Sequence, residues 1–357
     1  MHRSLDWLNT RYPLLQAPMA GPNLHEMAAA VTNAGGLGSL PCALLSAAQL
    51  REQVQLLRTA TAASKGPINL NFFCHQPPAP DAAREAAWKE RLKPFYEELG
   101  VDFHAPTPVS SRAPFDAAGA ALVEEFKPEV VSFHFGLPDE VLLARVRAAG
   151  SRVIASATTP AEARWLAVRG VDAIIAQGSE AGGHRGVFLT DEVDTQMGLF
   201  ALLPQIVDAV ELPVIAAGGI AEPRAVRAAF ALGASAVQIG TAYLFTPEAR
   251  MPKPHLAALS SEHAEVTALT RLFTGRPARS MVNRLMRELG PMSPLAPAFP
   301  LAGGALIPLR AASEPQGSGE FMSLWSGQSA RLARRDLDSA GLTRWLGEVA
   351  LAASATQ

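Results

Sequence analysis

Over the first 245 residues, short apolar, β-branched runs alternate with longer Ala-rich stretches of helical period. Few folds accept that alternation, because strands joined by helix-length connections pair in parallel, and parallel sheets need both faces covered. Eight such runs fall at 14–18, 37–40, 68–73, 130–135, 153–157, 173–176, 214–217 and 236–239. Helices are expected between them at 24–34, 47–61, 139–149, 160–169, 198–210 and 222–232, with Gly35, Gly150, Gly170 and Gly233 just past helix ends. Eight parallel strands with right-handed crossovers close most naturally into a (β/α)8 TIM barrel of the α/β class. Such a barrel carries its chemistry on the loops after the strands, so polar or glycine-rich clusters in those places are functional territory. NAGGLGS at 33–39 looks like a dinucleotide loop, but it follows a helix and precedes a strand, which makes it a turn.

Two regions break the rhythm. A long insertion at about 76–128 holds HQPPAP, a charged helix and the Pro/Ser-rich FHAPTPVSSRAPF. Beyond the barrel (1–246), residues 247–330 read as a smaller, mostly helical, Pro/Gly-rich cap on the substrate side, and 331–357 as a helical stretch packing on the barrel. The apolar run at 295–309 is too short to span a bilayer and carries three prolines, so it reads as a surface or lid segment. Asp6 and Asn9 interrupt the N-terminal stretch where a signal peptide needs apolar residues, and a cytoplasmic location is the expectation. A net charge of −2 gives no electrostatic case for nucleic acid or an anionic membrane. Cys42 and Cys74 form neither a disulfide framework nor a CxxC pair.

Most strand ends carry clusters. QAPMAGP follows the first strand, and NLNFFCHQPP with Asn71 and His75 covers the third. SFHFGLP with His134 follows the fourth and QGSEAGGHRG with Gln177, Gly182 and His184 the sixth. AAGGI with Gly218 and Gly219 follows the seventh, and QIGTAYLF the eighth. Small residues let backbone N–H groups approach an anion, and the loops after strands seven and eight form the commonest phosphate site of this fold. Gly219, Gly240 and Thr241 are the expected donors; the alternative is that these glycines only shape tight turns. Asn71 and Gln177 suit the edge of a heterocycle such as a flavin, or else satisfy buried backbone. The short side chains around Ala17 and Met19 let backbone lie against a flat ring. His184 is the candidate for proton handling, since its unperturbed pKa is near neutrality. His134 is either a structural histidine or a substrate contact, and Tyr243 and Trp325 are candidate pocket walls. His75, His134 and His184 come from three separate strand ends without Cys or carboxylate partners at metal spacing, so no metal is expected. No GxSxG, GxxxxGK[ST] or HExxH occurs.

QAPMAGP, AGGLGS, NLNFF, VSFHFGLP, QGSEAGGHRG, PVIAAGGI, QIGTAYL and LWSGQ together resemble the nitronate monooxygenases, formerly called 2-nitropropane dioxygenases, in their bacterial class I form. The resemblance covers nearly the whole chain. It implies non-covalent FMN and oxidation of alkyl nitronates such as propionate 3-nitronate with O2, to a carbonyl compound and nitrite or nitrate, by single-electron transfer. It places FMN at Asn71, Gln177, Gly182, Gly219 and the run Gln238, Ile239, Gly240 and Thr241, with His184 as the catalytic histidine. His184 would either hold nitronate oxygens or abstract the α-proton of a nitroalkane. The implied partners are a small-molecule nitronate and O2, in a monomer or homodimer that detoxifies nitroalkanes. AGGI and a GH-containing loop also occur in flavin-dependent enoyl-ACP and NADH:quinone reductases, so an NAD(P)H-dependent flavin reductase is the alternative. A non-enzymatic flavin-binding barrel is a further one.

Overall fold

The computed structural model describes residues 4–110 and 112–356; residues 1–3, 111 and 357 of the N-terminal, insertion and C-terminal stretches lie outside the described residues. Each of the eight expected strands is present: β1 (Leu14–Gln16), β2 (Gly38–Pro41), β3 (Ile68–Phe73), β4 (Val130–His134), β5 (Arg152–Ala157), β6 (Ala173–Gln177), β8 (Val214–Ala217) and β9 (Ala236–Ile239). They pair in parallel in the order β1-β9-β8-β6-β5-β4-β3-β2. The two ends of that sheet meet, with Gln16 N–H donating to Leu37 O at 3.0 Å and Leu37 N–H to Leu14 O at 2.9 Å. The sheet is thus a nearly closed barrel with helices between its strands.

Helices α1 (His25–Asn33), α2 (Ala47–Thr61), α3 (Ala82–Glu98), α4 (Ala117–Phe126), α5 (Glu140–Ala148), α6 (Pro160–Val168), α7 (Leu199–Ala209) and α8 (Pro223–Ala231) connect them. Their starts are set by local chemistry. Ser46 and Gln49 form a reciprocal capping box, Asp116, Asp139 and Thr159 accept from first-turn N–H groups, and Pro160 and Pro223 open their helices. Gly150 and Gly233, at φ +91° and +96°, end α5 and α8 in the left-handed region that a side chain resists.

Alternation along the strands divides the apolar core. Leu14, Leu70, Phe72, Phe133 and Val237 face the helices, whereas Leu15, Leu37, Ile154, Ile175 and Ile215 fill the barrel and are closed off below by Leu5 and Leu8. Toward the C-terminal strand ends the interior turns polar. Asn69 Nδ2 donates to Ser39 Oγ at 3.0 Å and to Ser132 Oγ at 2.9 Å, so the upper barrel is a hydrogen-bonded floor and not an oily plug.

The region after the barrel is mostly helical in its regular structure, but it also holds a small sheet that the sequence reading did not include. Alongside α9 (Lys253–Ser260), α10 (Arg284–Leu289) and α11 (Ile307–Ser313) it holds strands β10 (Thr267–Thr270) and β11 (Ala278–Met281). Strand β11 also pairs antiparallel with β7 (Gly183–His184), in the loop after β6, with Ala278 opposite His184. The cap is therefore stitched to the barrel through the loop that carries His184. Helix α3 of the insertion packs against the same cap: Trp88 Nε1 donates to Ala302 O at 3.0 Å and Tyr96 Oη to Ala305 O at 2.6 Å. A second apolar core unites Trp88, Leu92 and Phe95 with Leu272, Leu285, Leu309 and Phe321. Helix α12 (Ser339–Ser354) lies against α1 and α8 on the outside of the barrel. Among the described residues no helix is long and apolar enough to cross a membrane.

Candidate active site

A hollow of about 1250 Å³ lies outside the barrel between α7, α8 and α12, away from any strand end. A smaller cavity of about 470 Å³ opens at the C-terminal strand ends, within the range of ordinary ligand sites. The smaller one carries the polar and glycine clusters, and its location fits the fold's functional face.

One wall is the stretch GSEAGGHRG, and its shape is fixed from beneath. Arg185 is wholly buried, donating from Nε to Gln196 Oε1 at 2.8 Å, from Nη1 to Gly178 O at 2.8 Å and from Nη2 to Gln177 O at 2.6 Å. Burial and the neighbouring Arg279 bring its pKa down to about 9, which still leaves it cationic at neutral pH. The Gln177 amide is committed to the same loop: Nε2 donates to His184 O at 3.0 Å, and Oε1 accepts from Gly186 N–H at 2.7 Å. Of the two expectations for Gln177, the satisfaction of buried backbone is therefore the one this geometry displays. Gly182 is squeezed against the 325–329 segment, where an added Cβ would meet Gly327 N at 2.5 Å and the Ser326 carbonyl carbon at 2.6 Å.

His134 also serves this loop. Its Nε2 donates to His184 O at 3.1 Å, so Nδ1 accepts from Ser156 Oγ at 3.0 Å and the ring is neutral. Burial pushes its pKa down to about 3. The structural reading of His134 accounts for both ring nitrogens, although the side chain still borders the cavity.

His184 points into an aromatic box, with ring centroids 5.4 Å from Phe299, 5.5 Å from Trp325 and 6.0 Å from both Phe73 and Phe135. Its Nε2 lies 2.9 Å from Thr274 Oγ1. In the tautomer in which the Thr274 hydroxyl donates to Arg276 O, at 3.5 Å, the ring proton sits on Nε2 and Nδ1 keeps its lone pair. Burial first, then the charge of Arg112, with His134, Arg276 and His75 behind it, hold the His184 pKa well below its ordinary value. At neutral pH the imidazole is uncharged and has one free basic nitrogen.

The opposite end is built for an anion. Gly218 and Gly219 take φ of +110° and +71°, and their N–H groups have no backbone acceptor among the described residues. Gly240 and Thr241 face them at the start of a 3₁₀ turn, and Thr241 Oγ1 accepts from Gly327 N–H at 2.9 Å. Ser329 Oγ donates to Gly219 O at 2.8 Å, which ties the late LWSGQS segment over this end. Glu180 also borders the cavity, but both its carboxylate oxygens accept from Leu199 N–H at the start of α7, at 2.8 and 2.9 Å. Between the two ends, Ala17 and Met19 line a wall. Gln16 and Asn23, bonded to each other at 2.9 Å, hold that backbone from behind. Asn71 Nδ2 donates to Ser132 Oγ at 2.9 Å, and Gln238 Oε1 is buried with no partner among the described residues. An orphaned buried carbonyl costs about 1–3 kcal/mol, which a ligand N–H would recover. An anion nest, small-residue walls and amide groups aimed inward fit a phosphorylated planar heterocycle.

Most of the expected site residues thus meet in one cavity: Ala17, Met19, Asn71, His134, Gln177, Gly182, His184, Gly218, Gly219, Gln238, Gly240, Thr241 and Trp325 all line it. Two do not. Tyr243 is fully buried, with its hydroxyl 2.8 Å from Thr343 Oγ1 of α12, because the 3₁₀ turn directs it behind the cavity. Ile239 packs into the core and contributes only its carbonyl, which accepts from Ala17 N–H at 2.8 Å. The sequence reading missed Ser132, Ser156, Phe299, Ser329 and Arg112. Arg112 is signalled only as a lone charge in the otherwise uncharged, proline-bounded APTPVSSRAPF. Among the described residues no group of three His, Cys, Asp or Glu side chains is gathered as a metal site.

Comparison with known proteins gives a consistent picture. The family model for nitronate monooxygenase matches residues 2–344. A nitronate monooxygenase of Pseudomonas aeruginosa is 41% identical over 347 residues, spanning 96% of this chain and 97% of that relative. A nitroalkane oxidase structure from Streptomyces ansochromogenes superposes with a TM-score of 0.86 at 38% identity, covering 97% of this chain and 98% of its own. A FabK structure from Thermotoga maritima does so with a TM-score of 0.72 at 26% identity, covering 98% and 95%.

Proposed function

Because the chain belongs to the nitronate monooxygenase family, and so is an enzyme, we propose that it binds FMN in the strand-end cavity and oxidises alkyl nitronates of the propionate 3-nitronate kind with O2. The single observation that carries this reading is the joining, in one cavity, of an anion nest at Gly218, Gly219, Gly240 and Thr241 with a neutral histidine in an aromatic box.

When bound, FMN supplies a one-electron acceptor beside an already electron-rich anion, so the chain needs neither a metal nor nicotinamide for that step. The glycine nest and Thr241 would hold the phosphate, the Ala17 to Ala20 backbone would lie against the ring, and Gln238 and Asn71 would meet its polar edge. Gly182 lets the loop after β6 come close, and Arg185 and Gln177 keep that loop from shifting. His184 Nδ1 faces the substrate as a neutral base able to take the α-proton of a nitroalkane, and with its pKa depressed it stays a base throughout the physiological range. Phe73, Phe135, Phe299 and Trp325 exclude water around it.

The test is direct. Protein released by heat should yield FMN and not FAD on chromatography, and the loaded enzyme should consume O2 with propionate 3-nitronate while nitrite or nitrate and a carbonyl product accumulate. Loaded enzyme that consumes no O2 with any alkyl nitronate would rule the assignment out.

A further inference from the structure

A neutral His184 leaves an open question about charge. A nitronate is an anion, and moving one into a box of four aromatic rings is costly unless a cation meets it there. Three guanidinium groups border the cavity. Arg250 is paired with Glu26, and Arg310 with Glu314 at 2.7 Å. Arg276, just outside, donates to Val187 O and feels the carboxylates of Asp191 and Glu162. Arg112 has no acidic partner among the described residues, and burial alone lowers its pKa. Its guanidinium carbon lies 5.9 Å from the Phe299 ring centre, on the same ring that packs 5.4 Å from His184.

Two anchors hold Arg112 in place. Downstream, Phe115 N–H donates to Phe73 O at 2.7 Å while the Phe115 ring packs edge-on against Phe72 and Phe133. Upstream, the chain lies so close to the cap that a Cβ on Gly304 would sit 2.5 Å from Pro108 O, and one on Gly303 3.0 Å from Ser110 Oγ. The backbone on both sides of Arg112 is thus pinned, and its guanidinium, without an acidic partner among the described residues, borders the cavity that His184 also lines.

We propose that Arg112 is a substrate-binding residue that holds the planar O–N–O group of the nitronate through its bidentate fork, leaving His184 as the uncharged base beside it. The assignment rests on the reading of this cavity as a nitronate site. It divides the two tasks that a single histidine would otherwise share: Arg112 meets the anionic charge of the nitronate, and His184 takes the α-proton when the substrate arrives as the neutral nitroalkane. A guanidinium matches two coplanar oxygens in a way that an ammonium does not, so lysine replaces it only in part.

Sodium nitrate, a planar monoanion with the same O–N–O edge, is the binding probe, followed by the perturbation of the bound flavin's absorbance. Nitrate should saturate the wild-type enzyme, with affinity falling about 10- to 100-fold in Arg112→Met and less in Arg112→Lys. KM for ethylnitronate should rise by a similar factor, with kcat changing less. Methylguanidinium should restore part of the loss in Arg112→Ala, which a purely structural role would not allow; the lysine variant and this rescue keep the test decisive if Arg112→Met folds poorly. Nitrate affinity and KM within threefold of wild type in Arg112→Met would overturn the proposal, as would equal loss in the lysine and methionine variants without rescue. If nitrate binding depends on Arg112 but no nitronate is turned over, the assigned reaction fails and the anion site stands. If nitronates are turned over regardless of residue 112, the anion site alone fails.

Discussion

Acidification from pH 7 to pH 5 should destabilise this protein more than its overall charge suggests, and the buried histidines set how much. Burial pushes the pKa of His75 and His255 down to about 4 and that of His134 to about 3, from an ordinary 6.5. The unfolded chain then binds more protons than the folded one between those values, so stability is complete above pH 6.5 and is lost as pH falls toward 3–4. Each histidine loses about 2 kcal/mol over those two pH units, and the three together about 4–6 kcal/mol. With about 2.1 cal/mol/K of unfolding entropy per residue over 357 residues, that lowers the Tm by about 5–8 °C. His184 shifts in the same direction and adds to the loss. The assay is scanning calorimetry at fixed ionic strength across pH 5–7, with His255→Gln as the internal check. That glutamine retains a donor for Trp325 O, the present partner of His255 Nε2 at 3.0 Å, and should remove about a third of the part of the slope set by His75, His134 and His255. A Tm that falls by less than about 2 °C would refute the neutral, buried state assigned to these rings.

Gly182→Ala places a methyl against backbone on both sides and should cost about 1–3 kcal/mol while lowering the flavin-to-protein ratio after gel filtration, because the 325–329 segment must lift away. His184→Asn should keep FMN, since the His184 carbonyl still accepts from Gln177 and His134 and only the single side-chain bond to Thr274 is lost, yet lower kcat for a nitroalkane by about 10²-fold or more in a steady-state O2 assay. Arg185→Met strands the carbonyls of Gln177 and Gly178 and the amide of Gln196; thermal melts should show a loss of at least about 3 kcal/mol, with FMN retention falling alongside.

The barrel was legible because its strands are β-branched runs bounded by turns, and most crossover helices carry their own cap or closing glycine. Boundaries moved by a residue or two, as at Pro18 and Phe135, which lie past the ends of β1 and β4. The small sheet was not legible. Two residues of a glycine loop pair with ARSM, nearly a hundred positions later, and neither segment has an alternating pattern long enough to announce a strand. The site was readable wherever the fold alone dictates which loop faces the cavity, as with the glycines after β8 and β9. It was unreadable where tertiary packing decides. Tyr243 sits in the right segment but is rotated toward α12, and Arg112 reaches the cavity only because the insertion is clamped between β3 and the cap.

The measurement that most directly tests the account is anaerobic rapid mixing of the flavin-loaded protein with ethylnitronate in one arm and NADH in the other, followed through the visible flavin spectrum. The spectrum should change within the dead time or the first seconds with the nitronate and stay unchanged with NADH. Prompt bleaching by NADH, with no response to the nitronate, would contradict the assignment and mark the cavity as the site of a nicotinamide-dependent reductase.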